Sequence, residues 1–248
     1  NPQQVSEVIK AQSKNLSLKL KYGFNHRYHD SIKDALKIIK TNELGNIIDL
    51  NAVYGKSKVV TATGSNADWR SKREIAGGGI LLDQGIHMVD LIRYFAGEFD
   101  EVQSFISNKY WGYDVEDNAY AIMRNSNGQV ALLHSSATQW RHDFSLHITL
   151  DKGSLILKGI LSSTKSYGAE TLTIAYKSED EHGDPKEKTI RYNNDSSWED
   201  EVNEFSDAIV NDTPIVSGTS EDAYKTMELV YKIYNADPIW SSKINLID

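Results

Sequence analysis

A single apolar stretch, residues 79–96, carries four polar side chains whose spacing could support proton transfer. If the stretch is a helix, at about 100° per residue, Asp83, His87, Asp90 and Tyr94 fall within about 60° of one another and form one polar stripe. A histidine is the natural general base near neutral pH, and a carboxylate one turn away can orient and tune it. The spacing fits an ordinary Asp–His pair on a helix surface equally well, so it leaves both interpretations open.

Glycines occur where this helix starts and inside it. The three glycines at residues 77–79 would let another backbone or a ligand approach the helix start, where Cβ atoms would collide. Gly85 lies inside the helix, where a glycine costs roughly 1 kcal/mol relative to alanine. We therefore expect Gly85 to pack closely against a neighbouring element or a substrate.

The elements that must position this helix are flanking helices and a long β-rich run. Apolar periodicity predicts helices at residues 3–14, 30–44, 198–209 and 220–235. Asp30 is the expected N-cap of the second helix and Gly45 its stop. Alternation and turn residues predict strands at residues 16–24, 46–55, 101–108, 118–125, 129–138, 144–151, 153–159, 171–177 and 187–193. Residues 56–76 show no clear period and are predicted to form a long loop.

Helices at the flanks with many sequential strands between them predict an α+β fold. We expect one large, mostly antiparallel sheet with helices packed on one face. Residues 1–23, one helix and one strand, look like the tail of another unit, so the main domain should cover residues 24–248.

Composition and charge exclude several classes of function. The chain has 248 residues and a net charge of −8, so nucleic-acid backbones and anionic membranes are poor partners. No run of about 18 apolar residues occurs, and no membrane span is predicted. There is no cysteine, which excludes disulfides, zinc–thiolate sites and thiol nucleophiles and fits a cytoplasmic location.

Two other histidine-containing segments are candidates for a functional role. His26 and His29, with Asp30 beside them, invite a metal site, but metals need three or four convergent ligands and no partner cluster is visible, so no metal is predicted. The segment "HSSATQWRHDFSLH", residues 134–147, fits either an antiparallel hairpin with interfacial aromatics or a surface that reaches a sugar or a neighbouring subunit.

The string "GGGILLDQGIHMVDLIRYFAG" resembles the catalytic-helix motif of the Gfo/Idh/MocA oxidoreductase family, which includes glucose–fructose oxidoreductase and inositol dehydrogenase. Four further features match in the right order: "YGFNHRYH" at 22–29, "NELGNI" at 42–47, "DWR" at 68–70 and "SWEDEVNEF" at 197–205. The resemblance spans essentially the whole chain.

This resemblance implies a two-domain enzyme. Members have an N-terminal Rossmann domain for NAD or NADP, and a C-terminal α/β domain that binds substrate and forms oligomers through its open sheet. By the resemblance, His87 is the general acid/base for the substrate hydroxyl and Asp83 stands beside it. The resemblance places four further positions near the substrate, Asn25, Arg27, Trp69 and Arg70. Asp90, on the polar stripe, is also predicted to bind substrate.

Part of the family pattern is missing from this sequence. The family's catalytic lysine belongs to a Glu-Lys-Pro motif, and residues 1–23 resemble the stretch immediately after that motif, the last helix and strand of the dinucleotide domain. No G-x-G-x-x-G occurs anywhere. The chain is therefore expected to be truncated, to bind no cofactor tightly and to be inactive alone.

The resemblance predicts that the parent protein is an NAD(P)-dependent dehydrogenase acting on a sugar, sugar derivative or cyclitol hydroxyl. It also predicts a homodimer or homotetramer. The alternative is a non-catalytic module of the same fold that binds a sugar or a partner; a metal-dependent lyase or isomerase is more distant.

Overall fold

The computed structural model describes residues 1–15, 17–58, 67–162, 165–178 and 185–243. The helices are α1 (Pro2–Ser13), α2 (Asp30–Thr41), α3 (Arg73–Ala76), α4 (Ile86–Ala96), α5 (Ser197–Val210), α6 (Ser220–Ala236) and α7 (Pro238–Lys243). Turns of 3-10 helix cover Asn25–Tyr28 and Ala67–Ser71, and a π-helical turn covers Leu81–Gly85. The strands are β1 (Ile47–Gly55), β2 (Glu101–Ser107), β3 (Asn118–Arg124), β4 (Val130–Ser136), β5 (Asp143–Leu150), β6 (Gly153–Lys158), β7 (Glu170–Tyr176) and β8 (Lys186–Tyr192).

These strands form one sheet, in the order β2-β3-β4-β1-β5-β6-β7-β8. The β1–β4 pair is parallel, and the other neighbouring pairs are antiparallel. Alternate residues of β3 and β5 are buried, as expected for a sheet with one face on the core. Helices α2, α4 and α6 pack against the strands. The predicted α+β fold with a mostly antiparallel sheet is confirmed.

The strand predicted at residues 16–24 is wrong. The helix before it, α1, forms as expected and packs against α6. Residues 17–24 then contain no strand; one backbone hydrogen bond, from Tyr22 N–H to Gly218 O (2.7 Å), connects them to the segment before α6. Alternating apolar residues form a strand only where a neighbouring strand supplies hydrogen-bond partners. The domain boundary after residue 23 stays a prediction.

The second helix differs slightly from the prediction at both ends. It begins at Asp30 itself, so Asp30 is not the N-cap; that position belongs to His29, whose Nδ1 lies 2.9 Å from Glu170 Oε2. The helix ends before Asn42, which adopts the left-handed conformation (φ 56°) that commonly ends helices. Gly45 lies farther on and is not the stop.

The loop predicted over residues 56–76 is partly helical. Residues 59–66 lie outside the described residues, and the remainder includes the second 3-10 turn and α3. Gly77 follows α3 with φ 80°, a conformation that costs glycine little. The chain then turns into the helical stretch that carries the polar stripe.

This helical stretch begins at Ile80 and contains the π-helical turn before α4. A π turn holds one extra residue per turn, so Asp83 is displaced from the regular spacing to His87. By length and mean hydropathy, Arg73–Ala96 is apolar enough to cross a membrane, although the sequence contains no uninterrupted apolar run of that length. Buried core helices meet the same criterion, and α4 packs against β1 and β4.

One buried carboxylate holds the start of this helix. The side chain of Glu116 accepts hydrogen bonds from Gly79 N–H (2.8 Å), Leu81 N–H (3.0 Å) and the Tyr234 hydroxyl (2.6 Å). Burial raises the pKa of Glu116, and these three donors oppose the rise. The two amides are among those that a helix start leaves without partners in the helix itself.

Two glycines allow the helix to approach its neighbours, as predicted. A Cβ on Gly79 would lie 2.1 Å from the backbone oxygen of Glu116. A Cβ on Gly85 would lie 2.6 Å from Ser135 Oγ on β4. Both contacts are with the protein's own elements, so close packing is confirmed and no substrate is needed to explain these glycines.

We expect Gly79→Ala to destabilise the fold by about 3 kcal/mol, because the clash is with backbone atoms that cannot rotate away. Urea denaturation would measure the free energy of unfolding. Gly23→Ala is the matched control, since the nearest atom to its added Cβ lies 3.8 Å away. Equal stability of the two variants would contradict the packing interpretation.

Candidate active site

The polar stripe of the helix faces the 3-10 turn Asn25–Tyr28. The ring of His87 stacks on that of His26, with centroids 4.1 Å apart and planes 12° apart. Farther along the helix, Asp90 binds Arg27, and the Arg27 guanidinium lies 4.6 Å from the ring centre of Tyr94. The turn therefore covers the stripe from His87 onward and leaves its N-terminal end open.

His87 is half-buried, and one of its ring nitrogens has no partner. Its Nδ1 is buried without a hydrogen-bond partner, whereas Nε2 is not among the buried unpartnered atoms. Burial lowers the pKa of His87 to about 4, while the negative charge of Asp83 acts in the opposite direction. The imidazole is consequently neutral near pH 7, the state that can accept a proton.

Asp83 is bound by two cations. Its carboxylate accepts hydrogen bonds from Lys56 Nζ (2.8 Å) and Arg70 Nε (3.2 Å). Orientation of the His87 ring by Asp83 stays a prediction: among the described residues no hydrogen bond joins the two side chains, and they interact through charge. The reason is the π-helical turn together with the competing cations, which bind the carboxylate themselves.

Trp69 and Arg70, both predicted near the substrate, lie together at the rim of this site. The Arg70 guanidinium is 4.4 Å from the ring centre of Trp69. Trp69 is 43% exposed, so a broad face of its indole is available to a ligand. Such a surface can stack on the apolar face of a sugar ring.

Arg27 and Asp90 are arranged as a structural ion pair. Arg27 donates from Nε (2.8 Å) and Nη2 (2.6 Å) to the two carboxylate oxygens of Asp90, and both side chains are buried. Its remaining nitrogen, Nη1, lies 3.2 Å from Asp222 Oδ2. Because these donors and acceptors already have partners, substrate binding by Arg27 and Asp90, as predicted, is disfavoured by the geometry.

Asn25 is also buried and lies behind the site. Its Oδ1 is 3.2 Å from His26 Nδ1, and the other ring nitrogen of His26 is 3.1 Å from the Tyr54 hydroxyl. Asn25 therefore fixes the ring on which His87 stacks. Its predicted contact with substrate remains a prediction.

Three residues that the sequence did not single out complete the site. Lys56 and Tyr54 lie at the end of β1, and Tyr167 lies in the segment between β6 and β7. The Tyr167 hydroxyl accepts a hydrogen bond from Gln84 Nε2 (2.9 Å), and its ring is 5.3 Å from that of Tyr54. For Tyr54 and Lys56, the string "YGK" at the end of a predicted strand was a signal that the sequence offered. No local pattern in the sequence indicates a role for Tyr167.

His26, in the 3-10 turn, and His29, just after it, each contact side chains of the described residues. Within the described ranges, no group of three or more His, Asp or Glu side chains could hold a metal ion. His26 and His29 have ring centres 5.7 Å apart, but their nitrogens contact Asn25, Tyr54 and Glu170 instead.

That this chain binds no dinucleotide tightly stays a prediction. The sequence has no G-x-G-x-x-G, whose backbone amides cradle the pyrophosphate. The site offers a base, cations and an exposed indole. These groups suit a polyhydroxylated substrate.

Comparison with known proteins gives a consistent result. The GFO/IDH/MocA C-terminal domain family matches residues 32–156. The chain is 26% identical over 162 residues to levoglucosan dehydrogenase of Pseudarthrobacter phenanthrenivorans, covering 54% of this chain and 40% of that protein. It is 30% identical over 99 residues to glucose-6-phosphate 3-dehydrogenase of Bacillus subtilis, covering 38% and 27%. The aligned regions thus span less than half the length of these relatives.

Solved structures share the fold. Levoglucosan dehydrogenase in complex with NADH and levoglucosan superimposes with a TM-score of 0.75 at 19% identity, covering 89% of this chain and 64% of that one. At this identity the likeness concerns the fold alone.

The low pKa of His87 predicts acid-sensitive stability. The folded pKa (about 4) lies below the ordinary value of 6.5, so the unfolded chain binds the proton more readily between these pH values. His87 should therefore cost about 3 kcal/mol of stability as pH falls from 6.5 to 4. His87→Gln cannot titrate, so its stability relative to wild type should rise across that window in pH-dependent urea denaturation. A constant difference would contradict the low pKa.

Proposed function

The chain belongs to the Gfo/Idh/MocA oxidoreductase family, and we propose that it is the substrate-binding and catalytic half of an NAD(P)-dependent enzyme that oxidises or reduces a sugar, sugar derivative or cyclitol hydroxyl. Its relatives are sugar dehydrogenases. The observation that carries the proposal is the neutral, desolvated His87 next to an Asp83 carboxylate that two cations hold in place.

Proton transfer is the part of the reaction that this chain's residues can perform. Nε2 of the neutral His87 accepts the proton of the substrate hydroxyl as it is oxidised, and returns it in the reverse direction. Asp83 stabilises the imidazolium by its charge. Lys56 and Arg70 hold the Asp83 carboxylate in position. Trp69 supplies a face for the sugar ring.

The hydride acceptor has to be held by another domain. NAD or NADP supplies that chemistry in the proposed parent, and levoglucosan dehydrogenase has been solved with NADH. We place residues 1–23 at the junction with such a domain. The chain by itself should then be inactive.

A fusion of this chain to the dinucleotide domain of the Bacillus subtilis relative should reduce NAD or NADP with a sugar as substrate. His87→Ala should lower turnover roughly 10²-fold, because a positioned general base is removed. Absorbance of the reduced nicotinamide would measure the rate.

His147→Ala is the matched control, because His147 lies on the opposite face of the sheet, on β5, and should leave turnover unchanged. Near-normal turnover of His87→Ala would refute the catalytic role and favour the binding-module alternative. Reduction of NAD or NADP by the unfused chain would refute the need for a second domain.

The sheet face opposite the helices carries an apolar patch, which we define as Phe105, Tyr120, Ile122 and Leu132. Phe105 pairs with Tyr120 across β2 and β3, and Ile122 pairs with Leu132 across β3 and β4. All four are exposed, Phe105 by 78%. Contiguous exposed apolar patches mark interaction sites, and we propose that a second copy of the chain covers this one.

We expect Ile122→Glu to shift the protein toward the monomer, because it places a charge at the centre of the apolar patch. Analytical ultracentrifugation would measure the mass in solution. Thr189→Glu on exposed β8 is the control and should leave the mass unchanged. A monomeric wild type would contradict the proposal.

A further inference from the structure

A cavity of about 610 Å³ opens beside the candidate active site, between the β4–β5 connection and the segment from β6 to β7. We propose that it binds the phosphate group of a phosphorylated sugar whose reacting hydroxyl lies at His87. This inference rests on the function proposed above and names the substrate class of that site. The volume is within the range of small-molecule sites.

The charges that line the cavity are mainly positive. Arg141, Lys158 and Lys165 contribute three cations, against a single carboxylate, that of Asp143. The excess of cations in the cavity is opposite to that of the whole chain, which has 35 acidic and 27 basic residues. A local excess of cations in an acidic protein selects for an anionic ligand group.

No carboxylate within the described ranges is paired with these cations. Among the residues that the structure describes, the side chains of Arg141, Lys158 and Lys165 make no ion pair, although Lys and Arg elsewhere on the surface do. An arginine can bind two phosphate oxygens at once and a lysine serves as a point charge, so the set suits a dianionic phosphate.

His142 connects the cavity to the segment just after β1, which carries Lys56. Its Nδ1 lies 2.8 Å from Ser166 Oγ on the cavity wall, and its Nε2 lies 3.0 Å from Ser57 Oγ, next in sequence to Lys56. Burial lowers the pKa of His142, and the positive charges of Lys56 and Lys58 lower it further. The positive field therefore extends from the cavity toward the cation that holds Asp83.

Tyr167 is a wall shared by the cavity and the active site. It lines the cavity, its ring is 5.2 Å from that of His142, and its hydroxyl contacts Gln84, the neighbour of Asp83. One ligand can thus contact the catalytic end with its ring hydroxyls and the cavity with a phosphate on the same molecule.

The test is titration of the 248-residue chain with glucose 6-phosphate, glucose, inorganic phosphate and UDP-glucose, by calorimetry and by NMR of the histidine rings. Glucose 6-phosphate should bind at least about tenfold more tightly than glucose, which corresponds to about 1.4 kcal/mol of binding free energy. Its phosphate should raise the pKa of His142, because a negative charge then faces the ring.

The double variant Arg141→Gln, Lys158→Gln should abolish this preference and leave glucose affinity unchanged. Both residues are exposed, so the variant should fold, and circular dichroism would check that it does. Lys10→Gln on α1 is the control and should keep the preference. A preference for UDP-glucose over glucose 6-phosphate that the double variant removes would also support a phosphate site, with a diphosphate as its source.

Equal affinity for glucose and glucose 6-phosphate would overturn the inference, as would a preference that survives the double variant. The NMR signals separate this failure from failure of the proposed function. If glucose shifts the His87 signals without any phosphate preference, only the cavity inference falls. If no sugar shifts the His87 signals, both the proposed function and this inference are refuted, even if inorganic phosphate binds.

Discussion

The buried carboxylate of Glu116 is the constraint on which the site depends. It accepts two backbone N–H groups and one hydroxyl at the start of the helical stretch, so it fixes where that stretch begins and how it enters the core. The π-helical turn follows at once, and Asp83 projects from it toward Lys56 and Arg70. Without this anchor, the unsatisfied amides of the helix start would compete for the carboxylates nearby. Gly79 makes the arrangement possible, because no Cβ separates the two backbones.

The polar stripe of the helix divides into two parts with different physical roles. Its later part is sealed by the turn Asn25–Tyr28, where Arg27 and Asp90 bind each other in the interior. Breaking such a pair would leave an uncompensated buried charge, so it holds the turn firmly against the helix. His87 lies at the border, stacked on His26 but open at Nε2. The turn that Arg27 and Asp90 hold in place thus positions the His87 ring at the open end of the stripe.

Local patterns in the sequence predicted most helices and strands, but they did not predict which side chains or strands contact one another. The helix, its stripe and β1 followed from periodicity, because burial on one face leaves a repeat in the sequence. The ion pair of Asp83 with Lys56 could not be predicted, since it depends on how β1 packs beside the helix. The spacing of apolar residues does not indicate the π-helical turn, so that turn could not be predicted. The strand expected at residues 16–24 shows the reverse error, an alternation without a neighbouring strand to pair with.

The position of β1 within the sheet has a consequence for how the chain folds. β1 is the first strand in sequence, yet it lies between β4 and β5, where Asp49 pairs with Val130 and Leu50 with Ile148. The middle of the sheet therefore closes only after roughly 80 to 100 further residues are available, a long-range contact that slows folding. On a ribosome, β1 would stay without a partner strand while α4, β2 and β3 are synthesised before β4. The strand that joins the two halves of the sheet is thus the first to be synthesised, and it pairs only after β4 and then β5 have followed it.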